Sequence, residues 1–90
     1  MKYRSRTEIA SRILDAANSS STKTRIMYKA FLSYAQLKEY LEMLTVNGLL
    51  EYQQTEETYK TTLKGRKFME LYDSMGELVV DSAELAKARR

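Results

Sequence analysis

Ninety residues with no cysteine, no histidine and no proline make one small domain and exclude disulfides, thiolate chemistry, zinc fingers and imidazole bases. An apolar fraction of 43% is ordinary for a folded chain and argues against disorder throughout. The net charge of +3 is uneven: residues 1–38 hold eight basic side chains against Glu8 and Asp15, while residues 39–90 hold seven against ten carboxylates. Such asymmetry suggests a polyanion-facing N-terminal half, the plain alternative being a solvated surface of mixed sign.

Thr7 is the expected cap of a first helix, with Ile9, Ile13 and Ala17 along one face and Ala10, Leu14 and Ala16 beside them, an amphipathic element of about three turns. Asn18-Ser19-Ser20-Ser21 stops it, because these side chains compete for backbone hydrogen bonds. Thr22 or Thr24 caps a second helix that ends near Leu32. Ile26, Met27, Ala30 and Phe31 give it an apolar face, and Lys23, Arg25 and Lys29 are left outside. Two short helices separated by a tight turn fit a helix-turn-helix, or a plain helical hairpin in a bundle.

The third helix has the fullest signals. Ser33 and Gln36 have the spacing of a capping box. Leu37, Tyr40, Leu41 and Leu44 recur at helical spacing. Asn47-Gly48 stops it, since glycine takes the left-handed conformation a C-cap needs. Tyr34, Gln36, Lys38, Glu39, Glu42 and Met43 form the polar face of what reads as the recognition helix.

After Gly48 the period changes. Leu50, Tyr52 and Gln54 alternate with Glu51 and Gln53, Thr55-Glu56-Glu57 is a polar turn, and residues 58–62 are β-branched or aromatic apart from Lys60. This predicts a two-stranded hairpin lying against the helices. Three helices and such a hairpin make a winged helix, a mainly α fold with a small β element.

Thr61 or Thr62 caps the last helix, with Gly65 weakening its first turn. Phe68, Leu71, Met75, Leu78, Ser82 and Leu85 follow a heptad rhythm, and Tyr72, Val79 and Ala86 widen the stripe. Three short helices cannot cover a stripe of roughly 30 Å, so a second copy of the chain is the simplest occupant, the alternative being a helix folded back on its own domain. Asp81 is nearly the only charge at the flanking positions, so the heptads leave parallel and antiparallel pairing open. The expected division is a winged-helix domain over residues 5–63 and a dimerisation helix over 64–88.

Catalysis has little to stand on. Glu56-Glu57 is the only adjacent carboxylate pair, no serine has a histidine, and three glycines are scattered without forming a phosphate loop. No enzyme activity, metal, cofactor or small-molecule substrate is expected. DNA has a coherent set of groups. The first turn of the third helix would enter the major groove, with Gln36 pairing to adenine and Ser33, Tyr34 and Lys38 close to bases or phosphates. Lys23, Arg25 and Lys29 suit phosphates, as do Arg4, Arg6 and Lys60. Glu39 and Glu42 repel phosphate, and Gln54-Thr55-Glu56-Glu57 makes an acidic wing tip. A protein-interaction module that uses the same fold without DNA contact is the alternative. The charged N-terminus, Met1 to Arg6, and the absence of a long apolar run suggest a cytoplasmic, nucleoid-associated protein.

The runs S-Y-A-Q-L-K-E-Y-L-E-M-L-T-V-N-G-L-L-E-Y (33–52) and Y-K-T-T-L-K-G-R-K-F-M-E (59–70) resemble the archaeal winged-helix family of predicted transcriptional regulators. That family includes the small coiled-coil DNA-binding chromatin proteins of crenarchaea. T-K-T-R-I-M-Y-K-A-F-L (22–32) resembles its second helix. The resemblance covers roughly residues 5–75. It implies a winged helix, DNA binding through the third helix and wing, and a homodimer joined by an antiparallel coiled coil. The acidic wing and the short heptad tail depart from that pattern.

Overall fold

The computed structural model describes residues 5–78. In chain order these form α1 (Arg6–Ala16), α2 (Lys23–Ala30), α3 (Tyr34–Val46), β1 (Leu50–Gln53), β2 (Thr58–Thr61) and α4 (Leu63–Leu78). This is the α+β winged helix expected, and residues 79–90 of the predicted C-terminal coiled coil lie outside the described residues.

The cap of α1 is Ser5, two residues before the expected Thr7. The Ser5 hydroxyl accepts from the Glu8 backbone N–H at 3.1 Å. Ser5-Arg6-Thr7-Glu8 has capping-box spacing, and Glu8 also meets Arg12 at 3.5 Å one turn on. Helix α2 is capped by Thr22 and ends at Ala30 rather than near Leu32. Phe31 adopts the left-handed conformation at φ 56. The backbone N–H groups of Phe31 and Leu32 donate to Tyr28 and Met27 carbonyls at 3.3 and 3.2 Å, a Schellman ending. The turn buries Leu32 but leaves Phe31 75% exposed, so Phe31 is not part of α2's apolar face.

Both halves of the Ser33–Gln36 capping box on α3 are present. The helix closes with a second Schellman arrangement: Gly48 sits at φ 78, and Leu49 N–H donates to the Leu44 carbonyl at 2.8 Å. Leu37, Tyr40, Leu41 and Leu44 are its buried residues, as their spacing predicts. They join Ile9, Ile13, Leu14, Ile26 and Leu50 in one core, with Phe68 and Met69 of α4 packed against it.

The hairpin is antiparallel, pairing Leu50 with Thr61, Glu51 with Lys60, Tyr52 with Tyr59 and Gln53 with Thr58. Gln54 belongs to the turn, not to the strand. Several polar links fix the hairpin to α1 and to the loop that follows it. Ser21 exchanges backbone hydrogen bonds with Tyr59 at 3.0 and 2.8 Å, and the buried Thr61 hydroxyl donates to the Leu14 carbonyl at 2.6 Å. Among the described residues no buried side-chain polar atom lacks a partner.

Helix α4 is capped by Thr62, whose hydroxyl accepts from Gly65 N–H at 3.1 Å. Gly65 also permits a close approach, because a Cβ there would overlap the Leu49 carbonyl oxygen. Of the expected dimerisation residues, Phe68 and Tyr72 are partly buried. Leu71 and Met75 are 59% and 51% exposed. Leu78 ends α4, and Val79, Ser82 and Leu85 lie outside the described residues. No helix among the described residues is long and apolar enough to cross a membrane.

Candidate nucleic-acid interface

The Schellman turn after α2 sets the crossing of α2 and α3, and across it the side chain of the first α2 residue reaches that of the first α3 residue. Thr22 caps α2 and Ser33 caps α3. The Lys23 ammonium lies 5.3 Å from the Tyr34 ring centroid, within the range of a cation–π contact. Lys23, Tyr34 and Lys38 line one side of a groove of about 400 Å³, and Tyr52 and Tyr59 of the hairpin line the other. Those two rings are 4.9 Å apart at 51°, a tilted cross-strand pair. Glu42 also reaches this groove and opposes the lysines there.

The expected site residues do not all converge. Lys23, Arg25, Lys29, Ser33, Tyr34, Gln36 and Lys38 are all exposed, but only Lys23, Tyr34 and Lys38 share the groove. Successive helix residues are turned by about 100°, which puts Gln36 on the opposite flank of α3 from Tyr34 and Lys38. The Gln36 carbonyl oxygen accepts from the Ser33 backbone N–H at 3.1 Å and from its hydroxyl at 3.2 Å. Arg25 and Lys29 lie one turn apart on the outer side of α2, with the 71% exposed Tyr28 between them. Lys60 is partly buried on β2 and stands across the ladder from Glu51. Arg6 lies 5.3 Å from the Tyr40 ring, and Arg4 is outside the described residues.

Tyr52 and Tyr59 are groove residues that sequence reasoning missed. Alternation placed Tyr52 in register with Leu50 and gave it no functional role. In the hairpin Leu50 is buried against the helices, but Tyr52 is 45% exposed and lies over the groove. The direct pairing of two tyrosines across the turn is the signal that could have found them. The wing tip is acidic as read: Glu56 and Glu57 line a second cleft together with Thr22, Lys23 and Thr24 at the start of α2.

Residues 3–79 match a family model described as winged helix-turn-helix. Among solved structures, the chain is similar to Sso10a-2, a DNA-binding protein from Sulfolobus solfataricus. The TM-score is 0.78 at 24% sequence identity, over 96% of this chain and 90% of that one. No curated protein sequence matches the chain. The family match and the archaeal neighbour both agree with the archaeal winged-helix resemblance carried by residues 33–52 and 59–70.

Proposed function

The chain belongs to the winged helix-turn-helix family, and from that premise we propose that it binds double-stranded DNA as a dimer, as a transcription regulator or a chromatin-associated factor. The observation that carries this reading is the gathering of exposed cations from α2 and α3 around one groove. Lys23 and Lys38 flank Tyr34 in one groove, and α2 carries three cations and no carboxylate. Helix N-termini and lysines both favour phosphate oxygens. Lys23, Arg25, Lys29 and Lys60 neutralise the backbone. Ser33, Tyr34, Gln36 and Lys38 meet the groove edge through the first turn of α3. The similarity to a DNA-binding protein of known structure supports the same reading.

Dimerisation rests on α4. Leu71 and Met75 are exposed apolar residues on one stripe, with Phe68, Tyr72 and Leu78 at the neighbouring heptad positions. Val79, Ser82 and Leu85 continue the stripe in the sequence. A second copy placed antiparallel would bury it.

One observation favours a protein partner instead: the outermost residues of α3 are Ala35, Glu39, Glu42 and the 79% exposed Val46, a face that repels phosphate. A gel shift on random-sequence duplex, run beside a mass measurement in solution, separates the readings. The DNA reading expects a shifted duplex and a dimer mass, and Leu71→Asp should convert the dimer to monomer by placing an unpaired charge in the seam. No shift at low salt overturns DNA binding, and an unchanged dimer in Leu71→Asp removes α4 as the seam.

A further inference from the structure

The groove between α3 and the hairpin carries more than DNA contact needs. Tyr34, Lys38, Leu41, Glu42 and Thr45 line one side of it, at the three- and four-residue spacing that sets side chains along one flank of a helix. The Tyr52–Tyr59 pair stands opposite, and the buried Leu41 gives the groove an apolar floor. Its volume of about 400 Å³ falls in the range of small-ligand sites, which combine apolar walls with a few polar groups.

The charges in the groove are of both signs. Lys38 and Glu42 stand one turn apart on α3, a spacing that suits an ion pair. Among the described residues, however, the ion pair that forms is Arg12–Glu8 alone. Lys23 enters from α2 and faces the Tyr34 ring at 5.3 Å rather than a carboxylate. Two ammonium groups and one carboxylate, all without an ionic partner among the described residues, thus border three tyrosine rings. A polyanion pressed into this groove would meet Glu42, and beyond it Glu56 and Glu57, which border Lys23 in the next cleft. An occupant with one charge of each sign on an apolar ring meets no such conflict.

We propose that this groove binds a free aromatic α-amino acid. Lys38 and Lys23 hold its carboxylate, Glu42 holds its ammonium, and its ring lies against Tyr34 and the Tyr52–Tyr59 pair. The α-carbon sets the two charges of such a ligand close together, as one helical turn sets Lys38 and Glu42. Occupancy also draws Lys23 and Lys38 away from phosphate oxygens, so the amino acid is an effector that weakens duplex binding. The effector role rests on the DNA-binding reading above; the site itself does not.

Calorimetric titration of the intact chain with L-phenylalanine tests the site without DNA. A Kd of about 1 mM or tighter is expected. L-Phenylalaninamide lacks the carboxylate, N-acetyl-L-phenylalanine lacks the ammonium and L-alanine lacks the ring, so each should bind at least about tenfold more weakly. Glu42→Gln should weaken phenylalanine binding and leave the N-acetyl compound unaffected, a split that a purely structural role would not produce. Tyr52→Val, at a strand position that suits a β-branched residue, should lose phenylalanine binding with the melting temperature held within about 5 °C. No saturable binding at about ten times the expected Kd overturns the site, and so does equal binding of all four compounds. In a gel shift, saturating phenylalanine should weaken affinity for random duplex about fivefold or more and lower the salt slope by up to about two. Unchanged duplex affinity in the saturated protein overturns the effector role. A chain that binds no duplex at low salt fails the DNA reading, and the effector role with it, while calorimetry still decides the site.

Discussion

The carbonyl oxygen of Gln36 accepts from both the N–H and the hydroxyl of Ser33, so an adenine edge must compete with the cap that starts α3. A paired amide contact to adenine needs both the oxygen and the nitrogen of the side chain, whereas the capped form offers only its N–H₂. Gln36→Ala should therefore shift the ranking of duplex sequences by about 1 kcal/mol and cost about the same in stability through the lost cap. Arg25→Ala should weaken every sequence alike, which a binding array against varied duplexes would read directly. A uniform loss from both variants would confine Gln36 to capping. Residues whose signals are local were legible in the sequence: Ser33, Gln36 and Gly48 behave as their types and spacing predict. Phe31 was not, because a left-handed helix ending announces itself through glycine or asparagine, and here a phenylalanine fills the place.

Among the elements, the first three helices were legible to within two residues at their ends, because Leu37, Tyr40, Leu41 and Leu44 or Ile9, Ile13 and Leu14 impose a 3.6-residue period on what must be buried. The hairpin was legible from its composition and turn. Its attachment was not. The Ser21–Tyr59 pairing and the Thr61–Leu14 hydrogen bond join residues 38 and 47 positions apart, and no local pattern encodes such a separation. The same holds for Gly65, which read as a weak point in the first turn of α4. Its backbone lies against the Leu49 carbonyl, and Lys64 next to it donates to the Asn47 carbonyl at 2.7 Å, so the start of α4 is fitted to the end of α3. Gly65→Ala should thus destabilise the domain by about 1–3 kcal/mol through overpacking, despite alanine's better helix propensity. A lower urea midpoint would confirm the fit, and a higher one would mean that propensity dominates.

For the whole molecule, a basic N-terminal half and a more acidic remainder were visible in the charge count, and the fold gives that asymmetry a place. Lys23 and Lys38 share the groove with Glu42; Glu56 and Glu57 border Lys23; and Arg25 and Lys29 stand on the outer side of α2. This arrangement predicts phosphate contact concentrated on α2 and the first turn of α3, with the wing tip held off the backbone by its charge. It also sets how strongly binding should depend on salt. If Lys23, Arg25, Lys29 and Lys38 each neutralise one phosphate, the logarithm of duplex affinity should fall against that of salt with a slope of about −3 to −4 per protomer. The most direct measurement is the affinity of the intact chain for random-sequence duplex, titrated between about 50 and 200 mM salt. A slope in that range supports contact through these cations; affinity indifferent to salt would contradict DNA binding by this face.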